Sequence, residues 1–190
     1  MPGRPADEAM LAAALDYAVA AAAGLRLADL GRPSACTGWT VAEALAHLTR
    51  SLRSVTAALA AGAVPPAASP RSRPATARTV RRDLGRAAAA LGAAAGDLRG
   101  RRAVDVGGLP LPCHQLIVVG ALEAAVHGWD ANPAAPIPGE LATRLLAELP
   151  SVLDGGIRRG LFAEPVAVPP GRPPGVRLLA ALGRDDRRCP

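Results

Sequence analysis

Val41, Leu45, Leu48, Leu52, Val55 and Leu59 recur every three or four positions, which puts all six on one stripe of an α-helix. Three other stretches carry the same period. Met10, Leu11, Leu15, Ala18 and Val19 mark a helix over residues 7–30, with Asp7 placed to cap it and Gly31-Arg32-Pro33 placed to stop it. Val80, Leu84, Ala87, Leu91 and Ala94 mark a helix over residues 77–98. Leu116, Val119, Leu122, Val126 and Trp129 mark one over residues 113–130. An apolar stripe must be buried against another element, so four such helices predict an all-α chain built as a four-helix bundle. The second helix has a defined start. Thr40 and Glu43 form a capping-box pattern, hydroxyl to the amide three residues on and carboxylate back to the first amide.

Composition agrees with this period. Half of the residues are hydrophobic but only 2% are aromatic. The apolar content is therefore Ala, Leu and Val, with few of the aromatic and β-branched residues that favour strands. The rest of the chain reads as connections and an appendage. Residues 62–76, rich in Pro, Ala and Ser, form a flexible loop, and "GGLPLP" is a turn. A shorter fifth helix spans 139–149. The Pro-rich "LFAEPVAVPPGRPPGV" is extended, with one short strand at Val166–Val168, and a last short helix spans 175–183. The reading is one domain over 1–190, its core at 7–132 and a partly extended C-terminal appendage at 138–186.

The net charge is +6 and all 22 basic residues are Arg. Arg without Lys, beside abundant Ala, Gly and Pro, fits a GC-rich genome and weakens the case for an acidic partner. The arginines are scattered, with no basic face and no interleaved aromatics, so nucleic-acid binding is not expected. No apolar run reaches membrane length. The first residues lack the basic-then-apolar order of a signal peptide. Three cysteines without a CxxC give no disulfide framework and no zinc-finger spacing. A cytoplasmic protein acting on a small molecule is the expectation; bundles of this kind often pair, and a homodimer is compatible with the sequence.

The chain holds three histidines, His47, His114 and His127. Glu123 and His127, in "ALEAAVHGWDAN", lie one helical turn apart and project from one face. His47 falls beside the stripe of the second helix. Two helices of a bundle can bring His47, Glu123 and His127 to one point at the edge of the core. Two imidazoles and a carboxylate suit a divalent ion, zinc above all, and three protein ligands leave a position for water or substrate. The same residues admit a plainer reading. A Glu and a His at this spacing are commonly a surface ion pair, and a His near a stripe is commonly a satisfied interior residue.

Other residues have two readings each. Asp130 is placed either to bond a ligand imidazole or to bond backbone amides of the next loop. Trp39 and Trp129 are packing anchors or pocket walls. Cys113 and His114 open the fourth helix, nine residues and roughly 14 Å before Glu123, too far to ligate with it. His114 there is a candidate general acid or base at a pocket mouth. Cys36 is a small buried hydrophobe rather than a ligand, being roughly 15 Å from His47 along the axis.

"PSACTGWTVAEALAHL" (Pro33–Leu48) and "ALEAAVHGWDAN" (Ala121–Asn132) together resemble the paired motifs of the DinB-like, maleylpyruvate isomerase N-terminal-type proteins of actinobacteria. The C-terminal "FAEPVAVPPGRPPGVRLLAALGRD" is similar to the tail of stand-alone members. The resemblance implies a DinB-like four-helix bundle holding a zinc-like ion, with nickel or iron as alternatives, on His47, Glu123 and His127. It implies chemistry with a low-molecular-weight thiol, mycothiol, in isomerisation or S-transfer. Maleylpyruvate isomerase has a second, C-terminal domain that contributes to its active site. The 41 residues after Leu149 are too few for an equivalent. That shortfall points away from the specific isomerase reaction. It leaves open thiol transfer, a lyase, cyclase or hydrolase step on a biosynthetic intermediate, or a non-catalytic small-molecule-binding or resistance protein.

Overall fold

The computed structural model describes residues 4–63, 76–98, 100–106, 108–153, 163–169 and 171–185. The elements, in chain order, are α1 (Arg4–Ala23), a 3-10 turn (Leu27–Asp29), α2 (Val41–Ala61), α3 (Ala77–Gly96), β1 (Ala103–Val106), β2 (Leu109–Pro112), α4 (Cys113–Ala131), α5 (Gly139–Val152) and α6 (Pro174–Ala181). Helices dominate and the bundle is as expected. α1 packs on α3 and α4, and α2 packs on the same two. α1 and α4 run in the same direction: Leu11 lies over Gly120, and Tyr17 and Ala18 lie over Gly128. α2 runs against α4, with His47 level with Glu123 and Val55 level with Gly120. α5 covers α4 and α1, and α6 packs on α5.

Thr40 caps α2 as its pattern implies, its hydroxyl accepting from the Glu43 amide, and Gly62 closes the helix in the left-handed conformation. Three expectations about the helices need correction. The first helix ends at Ala23 rather than near Leu30, because the chain turns at Gly24, where the Asn132 side chain donates to Ala21 O at 2.9 Å. Asp7 does not cap it; the helix already begins at Arg4, and Asp7 is buried in its first turns. Nor is α4 one-sided. From Leu116 to Ala131 only Val119 and Glu123 are not buried. Ala and Gly on its remaining faces let three neighbouring helices close in, so α4 is the central helix rather than a surface one.

The "GGLPLP" turn belongs to a β-hairpin. β1 and β2 pair antiparallel, with Val106 opposite Leu109 and Gly108 at φ 89°. Pro110 and Pro112 argue against a strand within a sheet, but both lie on β2, the edge of the hairpin, where a missing N–H costs nothing; β1 is bridged on its other side, Asp105 N donating to Gly62 O at 2.8 Å. No strand forms at Val166–Val168; residues 163–169 are irregular, and Val166 N donates to Ala180 O at 2.8 Å. Most of the Pro-rich loop, residues 64–75, and Cys189 lie outside the described residues. No helix among the described residues is long and apolar enough to cross a membrane.

Candidate metal centre

The cap at Thr40 fixes where α2 begins and therefore, two turns on, the direction of His47. Glu43 Oε2 accepts from the Thr40 amide at 2.8 Å. α4 lies alongside in the opposite direction and presents Glu123 and His127 towards it. His47 Nε2 is 3.3 Å from Glu123 Oε2, and His127 Nε2 is 3.7 Å from the same oxygen. One donor atom from each residue lies within 4.8 Å of the other two. The two imidazoles meet edge to face at 4.5 Å between ring centroids. The three sequence candidates thus converge, from two helices, at one point.

The site is stratified by depth. The His127 side chain is 8% exposed, Glu123 18% and His47 32%, so the opening is on the His47 side. Ser51 Oγ, one turn beyond His47, is 3.3 Å from its Nε2. The Trp39 ring sits 4.8 Å from the His47 ring and stacks on His127 at 5.9 Å. Trp39 therefore walls the site, whereas Trp129 is a core anchor, 5% exposed. Burial pushes the Glu123 carboxyl up, but the His47 and His127 imidazoles and the Ser51 hydroxyl outweigh it and hold it below the usual carboxylate range. Despite that company, Glu123 Oε2 is buried with no aligned hydrogen-bond donor. A buried anionic oxygen without an aligned hydrogen-bond donor is costly. Placed between two imidazole nitrogens, it completes a donor set that a divalent cation would fit.

Behind His127 lies a second carboxylate. Asp130 is fully buried, and its Oδ2 is 2.9 Å from His127 Nδ1, although the ring N–H is not aligned with it. Arg184 closes the other side, Nη2 3.0 Å from Oδ2 and Nε 3.4 Å from Oδ1. Of the two roles open to Asp130, its side chain takes the imidazole, and its backbone carbonyl accepts from Ala35 N at 2.9 Å. Burial raises the Asp130 carboxyl, but His127 and Arg184 overcome it and bring it below its ordinary value. A carboxyl depressed in the folded state stabilises above its unfolded pKa, near 4, and loses that contribution as pH falls through the folded value. Acid unfolding of the metal-free wild type is therefore expected to steepen below about pH 4, and less so in Asp130→Asn. Urea midpoints between pH 3 and 6 measure it, and parallel acid limbs would contradict it.

His114 is not brought to this site. It opens α4 at the other end of the bundle, where its charge bears on Asp7 together with Arg144 and Glu148. Its candidate catalytic role has no geometric support there; Asp7's carboxyl is raised by burial first and by Glu148 second. Cys113 is buried beside it. Cys36 is half-buried rather than interior, and it neighbours Asp130 and Arg184. Burial and the Asp130 charge push its thiol up, which makes it a poor nucleophile. The sequence reading gave no role to Ser51 or Arg184. Ser51 had a signal, its spacing of four from His47; Arg184, 54 residues from Asp130, had none.

The profile of a family described as the mycothiol maleylpyruvate isomerase N-terminal domain matches residues 11–132, the stretch that contains α2, α4 and all three converging residues. No curated protein and no solved structure matches the chain.

Proposed function

The chain belongs to the mycothiol maleylpyruvate isomerase N-terminal domain family, and on that premise we propose that it is a divalent-metal-dependent enzyme that joins a low-molecular-weight thiol, mycothiol in the first instance, to a small electrophile or isomerises one through it. One observation carries the reading: Glu123 Oε2, buried and without an aligned donor, lies between His47 Nε2 and His127 Nε2. His47, Glu123 and His127 would hold the ion, zinc by preference for this donor set. When bound, such an ion favours the thiolate over the thiol and polarises a carbonyl.

The chain's own residues supply the rest. The gradient of exposure directs access past His47, because Glu123 and His127 are more deeply buried and Trp39 stacks on His127. Trp39 excludes water from one side of the imidazole pair. Ser51 stands beside His47 at the entrance, where its hydroxyl can give or take a hydrogen bond with an incoming polar group. Burial pushes the Cys36 thiol up, which makes it a poor internal nucleophile beside this site. The test is a conjugation assay with mycothiol and a panel of electrophiles, with and without chelator. Expected results are about one divalent ion per chain in the purified protein, and turnover that chelation removes and zinc restores. A protein free of metal whose melting temperature does not respond to zinc would refute the proposal. Stabilisation by thiol or electrophile with no product would instead indicate a non-catalytic small-molecule binder.

A further inference from the structure

We propose that Arg184 is a positioning residue of the His47–Glu123–His127 site, fixing the Asp130 carboxylate that orients the His127 ring, so that the bundle's metal affinity depends on the docked C-terminal segment. The affinity half of this inference rests on the metal reading above; the orientation of His127 does not. Arg184 lies outside the family-matched stretch, which ends at residue 132, while the carboxylate it grips lies inside.

The geometry is that of a built contact. Asp130 has no exposed surface, and a buried carboxylate requires a partner. Arg184 meets it with two nitrogens, Nε and Nη2, one to each oxygen; this fork pins the plane of the carboxylate as well as neutralising it. The remaining nitrogen, Nη1, donates to Leu182 O at 3.1 Å. The Arg184 side chain is 13% exposed. Its donors are directed inward, and it is not held out for a substrate anion. With its plane fixed, the carboxylate keeps Oδ2 at His127 Nδ1, and the other ring nitrogen, Nε2, is left facing Glu123 and His47. A carboxylate on the far nitrogen of a ligating imidazole sets the ring's tautomer and direction.

The arm that delivers Arg184 is anchored at its base. Leu178 and Leu182 have no exposed surface. α6 ends in a turn in which Gly183 N donates to Ala180 O and Arg184 N donates to Leu179 O at 2.9 Å. Gly183 adopts φ 77°, and a Cβ there would fall 2.6 Å from the Ala163 side chain and 2.9 Å from its backbone. Only glycine fits that turn, so the sequence of the appendage is shaped to place the residue that follows it.

The experiment compares the full-length wild type with Arg184→Met, Arg184→Lys and Asp130→Asn. Side-chain nitrogen NMR of the metal-free proteins, at a pH where the imidazoles are neutral, reads the tautomer of His127 and the environment of its Nδ1. Competition with a chromophoric chelator reads the affinity for cobalt(II), and the cobalt absorption spectrum reads the geometry. In Arg184→Met the His127 resonances should shift as they do in Asp130→Asn, and cobalt affinity should fall about 10- to 100-fold. Arg184→Lys should fall between, because an ammonium replaces the charge but not the fork. The Arg184→Met/Asp130→Asn pair should lose little more than the worse single variant, since both act through one contact. A folded Arg184→Met with unchanged His127 resonances overturns the positioning role; if that variant does not fold, unchanged resonances in Arg184→Lys overturn it equally. Wild-type cobalt affinity in a variant whose His127 resonances have moved overturns the affinity half. A wild type that binds no cobalt sinks the metal reading and the affinity half with it, and the resonances alone then decide the positioning role.

Discussion

Glu123→Gln is expected to abolish zinc binding at micromolar metal while leaving the bundle folded. Glu123 is the one anion of the three converging donors, and its Oε2 is the atom nearest both imidazoles. An amide keeps the shape but gives up the charge and presents a neutral oxygen. If a structural-type site of this size is worth on the order of 10 kcal/mol, one ligand in three is worth about 3 kcal/mol, more than a hundredfold in affinity. The stability readout follows by mass action. Zinc at a hundred times its dissociation constant stabilises the wild type by about 2.7 kcal/mol, and this upward shift in melting temperature should vanish in Glu123→Gln. His114→Ala is the matched control. It sits on the same helix, 13 residues and roughly 20 Å from His127, and should keep the full shift. A zinc-induced shift in Glu123→Gln equal to that of wild type would mean that the ion is bound elsewhere.

The helices that were legible from the sequence are those whose surroundings are uneven. α2 has a cap at Thr40, a stripe from Val41 to Leu59 and a solvent face, so the period of its apolar residues is the period of its burial. α4 is buried almost all round, and its stripe of large residues says where Leu and Val point without saying that Ala and Gly are covered as well. The hairpin was obscured by Pro110 and Pro112, which carry their usual meaning only where a strand has neighbours on both sides. The same contrast holds at the site. Glu123 and His127 declare their common face through their spacing, and His47 stands out because polar residues are few beside that stripe. The resemblance joined the three, and their convergence in the fold is what the spacing allowed. Arg184 follows no period relative to anything it touches. Its approach to Asp130 depends on how α5, α6 and the turn at Gly183 are stacked, and only tertiary structure holds that information.

A close approach of α1 to α4 beside the site supplies the other large effect. Gly128→Ala should destabilise the protein by about 2 kcal/mol, an overpacking cost of about 3 kcal/mol less the roughly 1 kcal/mol gained in helix propensity. A Cβ at Gly128 would meet the Tyr17 ring at 3.1 Å and the Ala18 Cα at 3.2 Å. Neither neighbour can yield. Ala18 Cα is backbone, and the Tyr17 ring is tethered because its hydroxyl donates to Ala135 O at 2.6 Å. The strain can be relieved only by pushing α1 away from α4, next to His127. At Gly120 a Cβ also finds an atom at 3.1 Å, but that atom is Leu91 Cδ2, the end of a side chain that can rotate. Gly120→Ala should therefore lie within about 1 kcal/mol of wild type, the propensity gain offsetting a small repacking cost. Gly128→Val should exceed both and should weaken zinc binding as well, since the added methyl groups press on the helix segment that aims His127. Urea unfolding of the three variants, with zinc titrations of those that fold, measures this order. Equal losses at Gly120 and Gly128 would show that the backbone contact at Ala18 does not set the α1–α4 distance, and with it the depth at which His127 is held.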